Sequence, residues 1–88
     1  MHGYKKRIGK FLAEFVFSLR KRRNLSQEKM AEYLHISRRA YSDLEKGKHC
    51  FSAVSLLFLL LMLTEGERRV LLERLREIIL TLEQREIA

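Results

Sequence analysis

Leu25-Ser26-Gln27-Glu28-Lys29-Met30-Ala31-Glu32-Tyr33-Leu34-His35-Ile36-Ser37-Arg38-Arg39-Ala40-Tyr41-Ser42-Asp43-Leu44-Glu45-Lys46-Gly47-Lys48 contains two helix beginnings and one well-marked helix end. Ser26 is suited to N-cap a helix, because its hydroxyl can accept from a free backbone N–H, and Met30, Ala31 and Leu34 then fall on one inward face. Lys29 stands where Glu or Gln would complete a capping box, so half of that motif is present. His35 and Ile36 intervene before Ser37, a second N-cap, behind which Ala40, Tyr41 and Leu44 form another inward face. Gly47 closes that helix, since glycine adopts the left-handed conformation that helix ends commonly require. The reading is of two short helices joined by a tight turn over about residues 26–46.

Upstream, Ile8, Phe11, Leu12, Phe15, Val16 and Leu19 recur at helical spacing and predict a helix from about Gly9 to Arg23. Its final cations, Arg20 to Arg23, suit the negative end of the helix dipole. Downstream, a fourth helix is expected from near Ser52 to Leu63. A fifth starts at Thr64, where Thr64-Glu65-Gly66-Glu67 matches a full capping box. Leu71, Leu75, Ile78 and Leu82 give this fifth helix a short heptad-like seam, widened by Leu72 and Ile79. With no proline and four glycines in 88 residues, the turn chemistry that all-β folds consume is missing. The expected fold is all-α with five helices in a single domain over 1–88: a basic N-terminal arm at 1–8, a core at 9–63 and a C-terminal helix at 64–88.

The net charge of +7 is unevenly spread. Residues 1–50 hold thirteen Lys/Arg against five acids, whereas residues 51–88 hold five against six. A basic half points to a polyanionic partner, with a solvated basic face as the plainer alternative. Cys50 is the only cysteine, which precludes an intramolecular disulfide and suggests the cytoplasm, and packing as a small apolar residue is its expected role. The apolar run Ala53 to Leu63 is far shorter than the ~20 residues that a bilayer span needs. A signal n-region at Lys5-Lys6-Arg7 is refuted by Glu14 and the Arg20 to Arg23 block. His2, His35 and His49 are scattered without a cluster of titratable partners, so neither an enzyme nor a metal site nor a cofactor is expected.

The stretch from Leu19 to Leu63 resembles the lambda-repressor-like, Cro-type (XRE) helix-turn-helix family. The likeness lies in Leu19-Arg20, the Ser-Gln helix start at Ser26-Gln27, the small Ala31, the Ser37-capped next helix and the closing Glu45-Lys46-Gly47. It spans about half the chain. It implies a lambda-repressor-like fold and a regulator of transcription that binds double-stranded DNA and lays the helix from Ser37 to Lys46 in the major groove.

On that resemblance Arg38, Arg39, Ser42 and Asp43 are the base readers. Arginine's planar fork can donate twice to guanine O6 and N7, or the two arginines only neutralise phosphates. Asp43 either accepts from cytosine N4 or repels wrong registers. Gln27 contacts the backbone or an adjacent base, and Ser26, Ser37, Lys46, Lys48 and Lys10 are assigned to phosphates. Lys10 belongs to a cationic segment, Tyr4 to Lys10, that is either an arm on the DNA or a frayed tail. Arg20 and Glu45 correspond to the family's ion pair between helix one and the recognition helix. Two departures stand out. His35 occupies a turn position often held by glycine, and Arg38 replaces a frequent glutamine, moving the expected base preference from adenine toward guanine.

Helix four is apolar nearly all round, more than one inward stripe can use, so a second surface must be covered. Val54, Phe58 and Leu61, with the seam Leu71, Leu75, Ile78 and Leu82, are assigned to a homodimer or partner interface, the alternative being helix five folded back over helix four. A two-fold dimer presents recognition helices to the half-sites of a palindromic operator about one DNA turn, ~34 Å, apart. The leading expectation is a dimeric repressor, and the competing one an antitoxin-like or adaptor module whose apolar helices four and five mask a second protein.

Overall fold

In the computed structural model, which describes residues 2–87, three successive helices end by one device. α1 (His2–Arg22), α2 (Gln27–Leu34) and α3 (Arg38–Glu45) are each followed by a residue in the left-handed region: Asn24 at φ 55°, His35 at φ 58° and Gly47 at φ 74°. The N–H groups of these residues donate to the carbonyls of Lys21, Glu32 and Leu44 at 3.1, 3.2 and 3.1 Å. The next residues, Leu25, Ile36 and Lys48, donate to Arg20, Ala31 and Asp43 at 3.0, 3.1 and 2.9 Å. This double pairing satisfies carbonyls that a helix end would otherwise leave open, and it reverses the chain in two residues. Asparagine and histidine tolerate the conformation better than most residues, which explains how the chain dispenses with glycine at two of the three sites.

The helix beginnings are equally local. Ser26 Oγ accepts from Lys29 N–H (3.0 Å), Ser37 Oγ from Ala40 N–H (3.1 Å) and Ser52 Oγ from Ser55 N–H (3.1 Å), the last opening α4 (Ala53–Met62). α5 (Glu65–Ile87) starts with the reciprocal box: Glu67 N–H donates to Thr64 Oγ1 (3.1 Å) and Thr64 N–H to Glu67 Oε1 (2.9 Å). Buried Ser55, in an otherwise apolar helix, is accounted for by the hydroxyl of Ser52, which donates to it at 3.1 Å.

α2 packs on α3 and α4, while α1 packs on α3 and α5. Val16, Leu19, Met30, Leu34, Tyr41 and Leu59 are fully enclosed at the centre, and Ala31 supplies the small side chain where α2 is crowded. No strand occurs among the described residues, so the fold is all-α with five helices.

The structure corrects several sequence expectations. Residues 2–8 form no arm: α1 begins at His2, because its apolar stripe continues back through half-buried Ile8 and Tyr4 and α5 lies alongside. At that end the helices are so close that a Cβ on Gly3 would meet Leu82 Cδ2 at 3.6 Å. At the other end Arg23 Nη2 bridges to Glu67 Oε1 at 2.7 Å, so α1 and α5 run antiparallel. The seam on α5 is thereby consumed within one chain: Leu71 is buried, and half-buried Leu75 and Ile78 pack against the core. Half-buried Leu82 lies at the Gly3 end of the same contact.

Nor does α5 fold over α4. Phe58 is half-buried, its ring stacked on His35 with centroids 4.0 Å apart, but Val54, Leu57 and Leu61 form an outward stripe 62%, 61% and 77% exposed. Thus Leu57 joins Val54 and Leu61 as open apolar surface, and Phe58 leaves it. Cys50, finally, is exposed instead of packed, with its sulfur beside Gly9 of α1.

Candidate nucleic-acid interface

α3 stands at the surface with its inner face fixed by Tyr41 and Leu44. Arg38 and Arg39 are exposed in its first turn, and half-buried Ser42 and Asp43 follow one turn later on the same side. The paired N–H donations of Gly47 and Lys48 curl the chain so that Lys46 and Lys48 lie at the far end of this face. Gln27, the first residue of α2, completes it: all seven side chains line one surface depression. Every residue assigned to base reading is therefore gathered in one place, together with two of the assigned phosphate contacts.

The other three lie outside the depression. Ser26 and Ser37 cap their helices, so each hydroxyl has an oxygen lone pair engaged while its proton stays available. Lys10 is exposed on α1, next to Gly9, and the Gly9–Cys50 contact joins that part of α1 to the loop just beyond Lys48. Asp43 has a neighbour that sequence reasoning missed: His49 Nε2 stands 3.8 Å from Asp43 Oδ2, an ion pair when the imidazole is protonated.

Behind this depression sits a carboxylate with four donors. Arg20 Nε donates to Glu45 Oε2 (2.5 Å) and Arg20 Nη2 to Oε1 (3.2 Å), a two-pronged fork between α1 and α3. Tyr41 Oη donates to Oε2, and Gln27 Nε2 donates to Oε1 at 3.1 Å. Arg20 Nη1 also holds the Leu25 carbonyl at 3.1 Å, tying in the turn between α1 and α2. Burial pushes the Glu45 carboxyl up, but the donors from Arg20, Tyr41 and Gln27 outweigh it and leave its pKa below the ordinary 4.5. Burial, and then the Glu45 carboxylate, raise the Tyr41 phenol, keeping it a donor at any physiological pH.

Sequence reasoning located the Arg20–Glu45 pair but missed Gln27 and Tyr41 as its partners. The spacing of four between Tyr41 and Glu45 on one helix was a usable signal; the Gln27 contact, across 18 positions, had none. Also missed was Arg68, whose Nη1 donates to the Leu60 and Leu63 carbonyls at 3.0 and 2.7 Å and so closes the end of α4. Among the described residues there is no group of three His, Cys, Asp or Glu side chains that could hold a metal ion, and no helix long and apolar enough to cross a membrane.

Comparison with known proteins adds an independent line. A helix-turn-helix family model matches residues 16–63, from the second half of α1 through α4. Neither a curated protein nor a solved structure matches the chain. The matched span holds α2, the His35 turn, α3 and the Arg20–Glu45 anchor, and the two segments outside it, 2–15 and 64–87, pack on each other as the antiparallel α1–α5 pair. A family model that accounts for over half the chain, and for α2 and α3 with the depression they line, shows that this protein belongs to the Cro/C1-type helix-turn-helix family of DNA-binding regulators.

Proposed function

We propose that the protein is a sequence-specific transcriptional repressor that occupies a palindromic operator as a homodimer. The observation that carries this reading is the convergence of Arg38, Arg39, Ser42, Asp43 and Gln27 on one exposed depression with Lys46 and Lys48 at its edge. Arg38 and Arg39 donate to guanine edges, Ser42 and Asp43 read the adjoining pairs, and Lys46, Lys48, Ser26 and Ser37 hold phosphates on either side. Repression follows from occupancy of promoter DNA.

The test is selection of duplexes from a random pool at physiological salt by the wild type and by Arg38→Ala/Arg39→Ala. The expected result is an enriched palindrome with guanines in each half-site, lost in the variant, since each bidentate arginine contributes about 1–3 kcal/mol of discrimination. Salt-sensitive binding without enrichment would refute sequence-specific regulation.

Lys5, Lys6 and Lys10 are exposed on the first turns of α1 and, among the described residues, have no ion-pair partner. Held on a helix, with Lys10 near the Lys48 loop, they extend the phosphate contact as fixed charges. Replacing all three by alanine should weaken binding equally for all sequences and flatten the dependence of log K on log salt by about 0.9 for each phosphate no longer neutralised. An unchanged slope in a salt titration would take these lysines out of the interface.

A further inference from the structure

Gln27 is the one base-reading candidate whose side-chain amide is held by another protein group. Its Nε2 donates to Glu45 Oε1 at 3.1 Å, and that carboxylate is enclosed, with only 6% of its side chain accessible. An ionised carboxylate offers lone pairs alone, so only the NH₂ end of the amide can face it. Rotating the amide by half a turn would set two acceptor oxygens against each other and strip the carboxylate of a donor. The amide oxygen of Gln27 therefore points away from Glu45. Among the described residues no group donates to it and no buried side-chain polar atom lacks a partner, so this oxygen reaches solvent. Gln27 lines the depression shared with Arg38, Arg39 and Ser42.

An oxygen presented in this way attracts a donor, while the second Nε2 hydrogen, which Glu45 does not use, stays available. In the major groove the donors are the exocyclic amino groups, adenine N6 and cytosine N4, while guanine O6 and thymine O4 are acceptors. Resting on the major-groove reading proposed above, we infer that Gln27 is a base reader that accepts a hydrogen bond from adenine N6 or cytosine N4, and that Glu45 is the positioning residue that fixes this polarity. Arg20 and Tyr41 hold Glu45 from behind, so the orientation of one surface amide is set by a network that reaches through α3 to α1.

The experiment is the same random-pool selection, scored position by position, with wild type, Gln27→Met and Glu45→Gln. The wild type is expected to favour adenine or cytosine over guanine or thymine by about three- to tenfold at one position of each half-site, the scale of one hydrogen bond. Gln27→Met keeps the length of the side chain without its polarity. It should bring that one position within about twofold of no preference while the positions read by α3 stay unchanged. Glu45→Gln allows the two amides to pair in either sense, and its preference at that position should fall or turn toward guanine and thymine. If Gln27→Met weakens every sequence by the same factor and leaves all preferences intact, the residue contacts phosphate and the inference is overturned while sequence reading stands. A wild-type pool with no enrichment overturns both.

Discussion

Glu45→Ala should lower the stability of the domain by about 3–5 kcal/mol, the range for breaking a buried pair by removing one partner. The Arg20–Glu45 pair qualifies as buried, with 11% and 6% of the two side chains accessible. Removal of the carboxylate leaves the Arg20 guanidinium enclosed and uncompensated, deprives the Tyr41 hydroxyl of its acceptor and frees Gln27. For a domain of this size each kcal/mol is worth roughly 4–8 °C in Tm, so thermal melting should show a loss of at least about 12 °C. Arg20→Ala/Glu45→Ala should recover part of the loss, because no charge is then stranded. A Glu45→Ala protein that melts with the wild type would show that the fork contributes nothing to the fold.

The same carboxylate gives the acid limb of stability. Glu45 and Glu67 both titrate below their ordinary 4.5 in the folded chain, the first because its donors outweigh burial, the second because the Thr64 N–H and Arg23 do. A depressed folded pKa contributes stability that is fully present above the unfolded value and is lost as pH falls through the folded one. Wild-type Tm should accordingly decline below about pH 4.5, and the decline should be shallower in Glu45→Ala, with the Glu67 share remaining.

The contrast between what the sequence disclosed and what it withheld follows the range of each interaction. Ser26, Ser37, Ser52 and the Thr64–Glu67 box all act over three residues, and the turn at Gly47 over five, so the helix-turn-helix and the starts of α4 and α5 were legible directly. Arg20 and Glu45 lie 25 positions apart and became legible only through the family resemblance. Lys5, Lys6 and Arg7 read as an arm or a frayed tail because the helical stripe around them, Tyr4 and Ile8, acquires its value only when α5 lies opposite. Periodicity identifies Leu71, Leu75 and Ile78 as an apolar seam but carries no information on whether the same chain or another one covers it. On α4 the pattern offered too many apolar residues to choose among. It took the placement of α2, and of the His35 ring on Phe58, to isolate Val54, Leu57 and Leu61 as the face left open.

Leu57→Lys/Leu61→Lys should turn the proposed dimer into a monomer and reduce affinity for a palindromic operator by about 10²–10⁴, the advantage conferred by linking two modest half-site contacts. Two copies of a chain with net charge +7 repel one another over most of their surface. Residues 51–64 contain no Lys, Arg, Asp or Glu, and their outward stripe is where two copies can meet without bringing cations together. The contact is apolar on both sides, which supplies the association free energy that the charges oppose. Since both side chains already face solvent, lysine there costs the single chain little, and the variant should keep its helicity and melt within a few degrees of the wild type. Sedimentation should give the mass of a dimer for the wild type at micromolar concentration and of a monomer for the variant. Half-site duplexes should be bound equally by both proteins, because Arg38, Arg39 and Gln27 are untouched. An unchanged mass would remove α4 from the interface, and a monomer that still bound the full operator with wild-type affinity would detach DNA reading from dimer formation.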